Sequence, residues 1–267
     1  MSDEIVAVEN VKKDNIKRGI YILPNLITAA SLFAGFYSMV ATLNKDYNTA
    51  AIAIFISAIC DGLDGKVARL TGSSSKFGVE FDSLADLDAF GVTPALLMYS
   101  WALRPFGRLG WAAAFLFLAC AALRLARFNV QVDTVESKRF IGLPTPASAC
   151  MVAATVMLFY HFDWPSSFRK LAILALIYLL AFLNVSNFKY NSFKDPAFIK
   201  RQPFSMLLLA VVLLIVVVAE PVVMTFSVLL LYILSGPVGY IITWPRRRRL
   251  EKAVHKGRED FNREGDV

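Results

Sequence analysis

The chain has 267 residues, enough for one or two soluble domains, but 57% of them are apolar and mean hydropathy is +0.54, which excludes a soluble domain with a polar shell. Its three cysteines, Cys60, Cys120 and Cys150, lie in apolar stretches without metal-ligand spacing and read as small packing residues, so no disulfide framework is expected. A net charge of +7 would suit a nucleic-acid binder, but in so apolar a chain it marks cytoplasmic loops against anionic lipid, and no nucleic-acid partner is expected.

The first twenty residues are polar and charged and carry no cleavable signal pattern. About 20 mostly apolar residues cross a hydrocarbon core. By that measure the sequence predicts eight spans: Ile22–Leu43, Thr49–Leu70, Phe81–Leu103, Leu109–Phe128, Thr145–Phe162, Leu171–Asn187, Phe204–Ala219 and Val222–Trp244. Glu220-Pro221 reads as a tight turn between the last two, and Gly236-Pro237 as a kink. The fold class is therefore all-α, a polytopic membrane protein. With the N-terminus placed in the cytoplasm, 23 Lys and Arg fall on inner segments and five on outer ones. That asymmetry predicts both termini inside. A prokaryotic cell membrane is the expected location, with the lipid bilayer itself as a partner. The tail over 245–267 is charged and reads as a surface anchor.

Chemistry concentrates between Cys60 and Gly91. Carboxylates inside a span are costly and mark a functional site by default. Asp61, Asp64, Gly65, Ala68 and Arg69 fall on one helical stripe, and Gly78, Asp82 and Asp86 on one stripe of the next helix. A short polar loop, Thr71 to Lys76, pairs the two helices antiparallel, so four carboxylates can converge near the cytoplasmic end. Close together they would repel one another, and two divalent cations would resolve the conflict; all-oxygen ligation suits Mg²⁺ or Mn²⁺. Gly65 and Ala68 leave room for a ligand to approach the helix, although small residues also serve helix packing. Arg69 offers a fork for phosphate. Metal, gap and guanidinium together describe a pyrophosphate site.

The spacing D-x2-D-G-x2-A-R-x8-G-x3-D-x3-D, met by Asp61, Asp64, Gly65, Ala68, Arg69, Gly78, Asp82 and Asp86, resembles the signature of the CDP-alcohol phosphotransferase family. The resemblance implies a six-helix core over 21–190, two further helices over 191–244, and a homodimer. It implies Asp61, Asp64 and Asp82 as metal ligands, and Asp86 as ligand and catalytic base. Gly65, Arg69, Ser75 and Asn25 would contact the CDP moiety.

Beyond the signature, Ala122–Val130 (ALRLARFNV) and Phe140–Ala149 (FIGLPTPASA) are similar to one branch of that family, the membrane-bound phosphatidylserine synthases. That implies CDP-diacylglycerol and L-serine as substrates. Arg124 and Arg127, one turn apart, can grip a serine carboxylate, or equally act as positive-inside anchors. Asn129 offers a polar contact or simply ends the helix. Asp88 departs from the pattern and is expected to pair with a basic or polar neighbour. Glycerol phosphate or inositol phosphate remains an alternative acceptor. A cation transporter would instead place its acids near the bilayer midplane. His161 and His255 sit too far from the acids to act as base or nucleophile.

Overall fold

The computed structural model describes residues 2–73, 75–132, 140–162, 166–186, 188–190 and 219–240. Helix dominates: α1 (Ser2–Leu43), α2 (Tyr47–Thr71), α3 (Lys76–Leu87), α4 (Thr93–Met98), α5 (Arg108–Val132), α6 (Thr145–Phe162), α7 (Ser166–Val185) and α8 (Pro221–Tyr240). A pair of two-residue strands, Phe140–Ile141 antiparallel to Lys189–Tyr190, ties the segment before α6 to the one after α7.

Four helical stretches among the described residues are long and apolar enough to cross a membrane: Ile22–Leu43, Arg108–Val130, Thr145–Phe162 and Pro221–Tyr240. The sequence predicts more, and the difference has a physical reason. α2 is 25 residues long, but Asp61, Asp64, Lys66 and Arg69 in its last turns lower its hydropathy. The next stretch carries Asp82, Asp86 and Asp88 and is broken into shorter helices. The apolar part of α7, Lys170–Val185, is shorter still. Of the predicted seventh span, residues 204–218 lie outside the described residues.

α1 is a single helix that runs through Pro24, and a row of small polar residues locks it to α2. Ser31 and Ser57 share a hydroxyl contact of 2.8 Å, and each donates to the other's carbonyl at 3.0 Å. Ser38 Oγ donates to the Ala50 carbonyl at 2.7 Å. Buried Ala50, Ala51 and Ala53 let the two backbones approach. In lipid such small and hydroxylic faces take the place of hydrophobic packing between helices.

α2 ends where Gly72 adopts φ 62° and its N–H caps the Ala68 carbonyl. α3 begins at Lys76, three residues beyond Ser73, with Ser75 as its N-cap. The helix then passes through a π-turn at Asp88–Val92, continues as α4, and makes a second π-turn at Tyr99–Leu103. Each π-turn inserts a residue into the α-register and rotates the helix beyond it. α1 fits the first one closely. A Cβ on Gly35 would lie 3.0 Å from Ala89 Cα, and Thr93 Oγ1 donates to the Gly35 carbonyl at 3.3 Å. The apolar core lies between these helices and α5, α6 and α7, around Phe90, Leu97, Met98, Phe117, Met151 and Leu180.

Candidate active site

The regular helix of α2 puts Asp61 and Asp64 one turn apart on a single face, and α3 does the same for Asp82 and Asp86 before the π-turn starts. The capped reversal at Gly72 and Ser75 brings these two faces together. One carboxylate oxygen from each of Asp61, Asp64 and Asp82 lies within 4.8 Å of the others. Asp86 is in hydrogen-bond contact with Asp61. The four predicted acids therefore form one cluster.

That donor set fits a hard divalent cation: it is all-oxygen, convergent and anionic, and without positive charge the carboxylates would repel one another in a desolvated place. Asp64 is 4% exposed and is held from outside the cluster. Thr28 Oγ1 donates to its Oδ2 at 2.7 Å, a shorter contact than the 3.1 Å to the Pro24 carbonyl. Thr28 is not among the residues the sequence singled out. It sits one turn after Asn25 in the apolar span Ile22–Leu43, and that spacing is the signal that could have found it.

The residues expected around a nucleotide fall at the end of α2 and the start of α3. A Cβ on Gly65 would meet nothing within 4 Å, so space is open beside the acids. Arg69 is exposed in the last turn of α2. A Cβ on Gly78 would stand 3.2 Å from both Asn25 Oδ1 and Ser75 Oγ, so these three residues meet at the start of α3. Ser75 already accepts a hydrogen bond from the Gly78 N–H at 3.0 Å, a capping role that its sequence context alone did not reveal.

α5 brings the basic residues. Arg124 is within electrostatic reach of Asp86, and its Nη1 donates to Thr145 Oγ1 at 3.1 Å, at the first turn of α6. Its Nε is buried without a hydrogen-bond partner, so the guanidinium keeps donor capacity. Arg127 is half-buried one turn on. Asn129 Nδ2 donates to Ser83 Oγ at 2.9 Å, and so ties α5 to the residue after Asp82. Helix-ending was an alternative for Asn129; α5 continues past it to Val132. Tyr232, from α8, lies within electrostatic reach of Arg124.

Asp88 corrects an expectation. Its Oδ2 is buried with no hydrogen-bond partner, where a basic or polar partner was expected. The π-turn that begins at Asp88 directs it against α1, 3.1 Å from where a Cβ on Gly35 would be.

Residues 21–185 match the CDP-alcohol phosphatidyltransferase family. A CDP-diacylglycerol–serine O-phosphatidyltransferase of Helicobacter pylori is 44% identical over 175 residues, covering 66% of this chain and 74% of the relative. One of the same name from Methanocaldococcus jannaschii is 33% identical over 224 residues, 84% of this chain and 96% of the relative. An archaetidylserine synthase of Methanothermobacter thermautotrophicus is 34% identical over 157 residues, 58% of this chain and 66% of the relative. With its signature acids gathered in one place and its helical core matched, the chain belongs to the CDP-alcohol phosphatidyltransferase family.

Proposed function

We propose that this chain moves the phosphatidyl group of CDP-diacylglycerol onto the hydroxyl of L-serine and releases CMP. The observation that carries this reading is the convergence of Asp61, Asp64 and Asp82, with Asp86 touching Asp61, in a chain whose relatives are named for that reaction. Asp61, Asp64, Asp82 and Asp86 would hold two divalent ions, Mg²⁺ or Mn²⁺, which when bound polarise the phosphoryl oxygens and offset leaving-group charge.

The protein's own groups do the rest. The open flank at Gly65, with Arg69 one turn on and with Asn25 and Ser75 meeting at Gly78, receives the CDP moiety. Arg124 takes the serine carboxylate, which places the serine hydroxyl toward the neighbouring Asp86; Arg127 and Asn129 border the same pocket. Asp86 accepts the hydroxyl proton, the serine oxygen forms the new bond to the phosphorus bearing diacylglycerol, and the bond from that phosphorus to CMP breaks. The lipid chains, ester- or ether-linked, lie outside this chemistry.

Around the site the reading extends to a six-helix core over 21–190, two further helices over 191–244, both termini in the cytoplasm of a prokaryotic cell, and a homodimer. The charge asymmetry of the loops supports the orientation. A chelator titration tests the carboxylate chemistry: CMP release with CDP-diacylglycerol and serine stops in excess EDTA and returns with Mn²⁺ or Mg²⁺. Full activity in excess chelator sinks the two-ion site.

A further inference from the structure

Thr145 opens α6, and its surroundings fix its place from several directions. Just before it, Phe140–Ile141 pairs with Lys189–Tyr190, the Gly142 N–H donates to the Phe188 carbonyl at 2.9 Å, and the Leu143 N–H donates to the Leu183 carbonyl at 3.1 Å. Gly142 has φ 84°, and a Cβ there would stand 2.7 Å from the Asn184 carbonyl oxygen, so this turn lies directly on the end of α7. Thr145 itself stands between Pro144 and Pro146, whose rings restrict the backbone on both sides of it. Its side chain is branched at Cβ and 1% exposed, so its hydroxyl has little freedom.

That hydroxyl accepts from Arg124 Nη1 at 3.1 Å. Arg124 Nε is buried and has no hydrogen-bond partner. A guanidinium grips a carboxylate with two parallel N–H donors along one edge. With Nη1 held by Thr145, the edge that remains is Nε with Nη2. An arginine without such a hold samples many rotamers, which a ligand must freeze out when it binds.

We propose that Thr145 is a positioning residue for the acceptor: by fixing Nη1 it turns the Nε–Nη2 edge of Arg124 toward the acceptor's carboxylate. This rests on the serine reading above. It makes the start of α6, anchored on α7, part of what selects the acceptor.

The test uses the full-length protein in detergent, with Thr145→Val, Thr145→Ser, Arg124→Ala and the double variant of Thr145→Val with Arg124→Ala. Thr145→Val keeps the size and the branching but removes the hydroxyl. It raises the serine KM about tenfold, the worth of one hydrogen bond to a charged group, while the KM for CDP-diacylglycerol moves by less than about twofold. Thr145→Ala, which also lacks the hydroxyl and introduces no new group, gives the same split. Thr145→Ser keeps the hydroxyl and holds the serine KM within about twofold of wild type. In the Arg124→Ala background Thr145→Val adds less than about twofold, since the hydroxyl has nothing left to hold. A serine KM that does not move in Thr145→Val, or KM values for both substrates that rise together, overturns the proposal. So does a Thr145→Ser variant as impaired as Thr145→Val, or an undiminished effect in the Arg124→Ala background. A wild-type protein that releases CMP with glycerol phosphate and not with serine overturns the serine reading and this assignment with it. The wild-type arm alone identifies that outcome.

Discussion

Asp86 and Asp88 stand two residues apart and have opposite surroundings. Asp86 lies in the regular part of α3 and touches Asp61; Asp88 opens the π-turn and faces Gly35 on α1. Asp86→Asn keeps the shape but removes the proton acceptor, so kcat should fall at least about 10²–10⁴-fold. Asp88→Asn should leave kcat within about tenfold. A buried carboxylate oxygen without a partner is costly, so this change should hold or raise the thermal midpoint in the same detergent. The opposite pattern in kcat would mean that Asp88 belongs to the metal cluster. Thr28 acts through Asp64: Thr28→Val removes the 2.7 Å bond and should weaken Mn²⁺ activation about 10- to 100-fold, while a simple packing role would leave that constant unmoved. The acids were legible in the sequence because a carboxylate in an apolar helix is too costly to persist without a task. Thr28 was not, because a threonine costs little in a membrane helix and its partner lies 36 residues away.

Between elements, the site depends on two contacts that fix helices relative to each other. The serine and threonine row of α1 sets its register on α2, and Gly35 lets α1 reach the π-turn just after Asp86. Gly35→Val would drive a side chain into Ala89 Cα at 3.0 Å and Asp88 Oδ2 at 3.1 Å. The expected cost is about 1–3 kcal/mol of stability, with a lowered thermal midpoint. Since the turn that must shift adjoins Asp86, kcat should fall as well; a variant with wild-type midpoint and rate would show that the turn has slack. The sequence placed α6 at its observed bounds, Thr145–Phe162, because a largely apolar run closed by Pro144 before it and by Asp163 and Pro165 after it leaves little choice. It predicted one regular helix from Phe81 to Leu103, and the two π-turns in that stretch have no periodic signature to betray them. The link from α5 to α6 through Arg124 and Thr145 also escaped notice, since it joins residues 21 apart in different helices. Arg124→Ala should raise the serine KM about ten- to hundredfold, well above its effect on CDP-diacylglycerol. Equal effects on both would assign Arg124 to the nucleotide or to the fold.

At the scale of the whole molecule, the same residues that make the chemistry obscure the membrane pattern. Four described helices are plainly apolar enough to cross, whereas α2 and the α3–α4 stretch trade hydropathy for acids. Such a site survives in lipid only where helices pack against it, and α1, α5 and α6 provide those walls. The family was legible from eight positions at fixed spacing; the acceptor was not legible from those positions at all, since the roles proposed for them concern only the nucleotide, the metal and the phosphorus. The serine acceptor rests on Arg124 beside Asp86 and on the names of the relatives, and it is the central claim. It is tested most directly by CMP release from CDP-diacylglycerol by the purified full-length protein, with serine, glycerol phosphate or inositol phosphate supplied singly. The account predicts CMP release with serine, in step with formation of phosphatidylserine, and only background with the two phosphorylated acceptors. Release with glycerol phosphate or inositol phosphate, and background with serine, would contradict it.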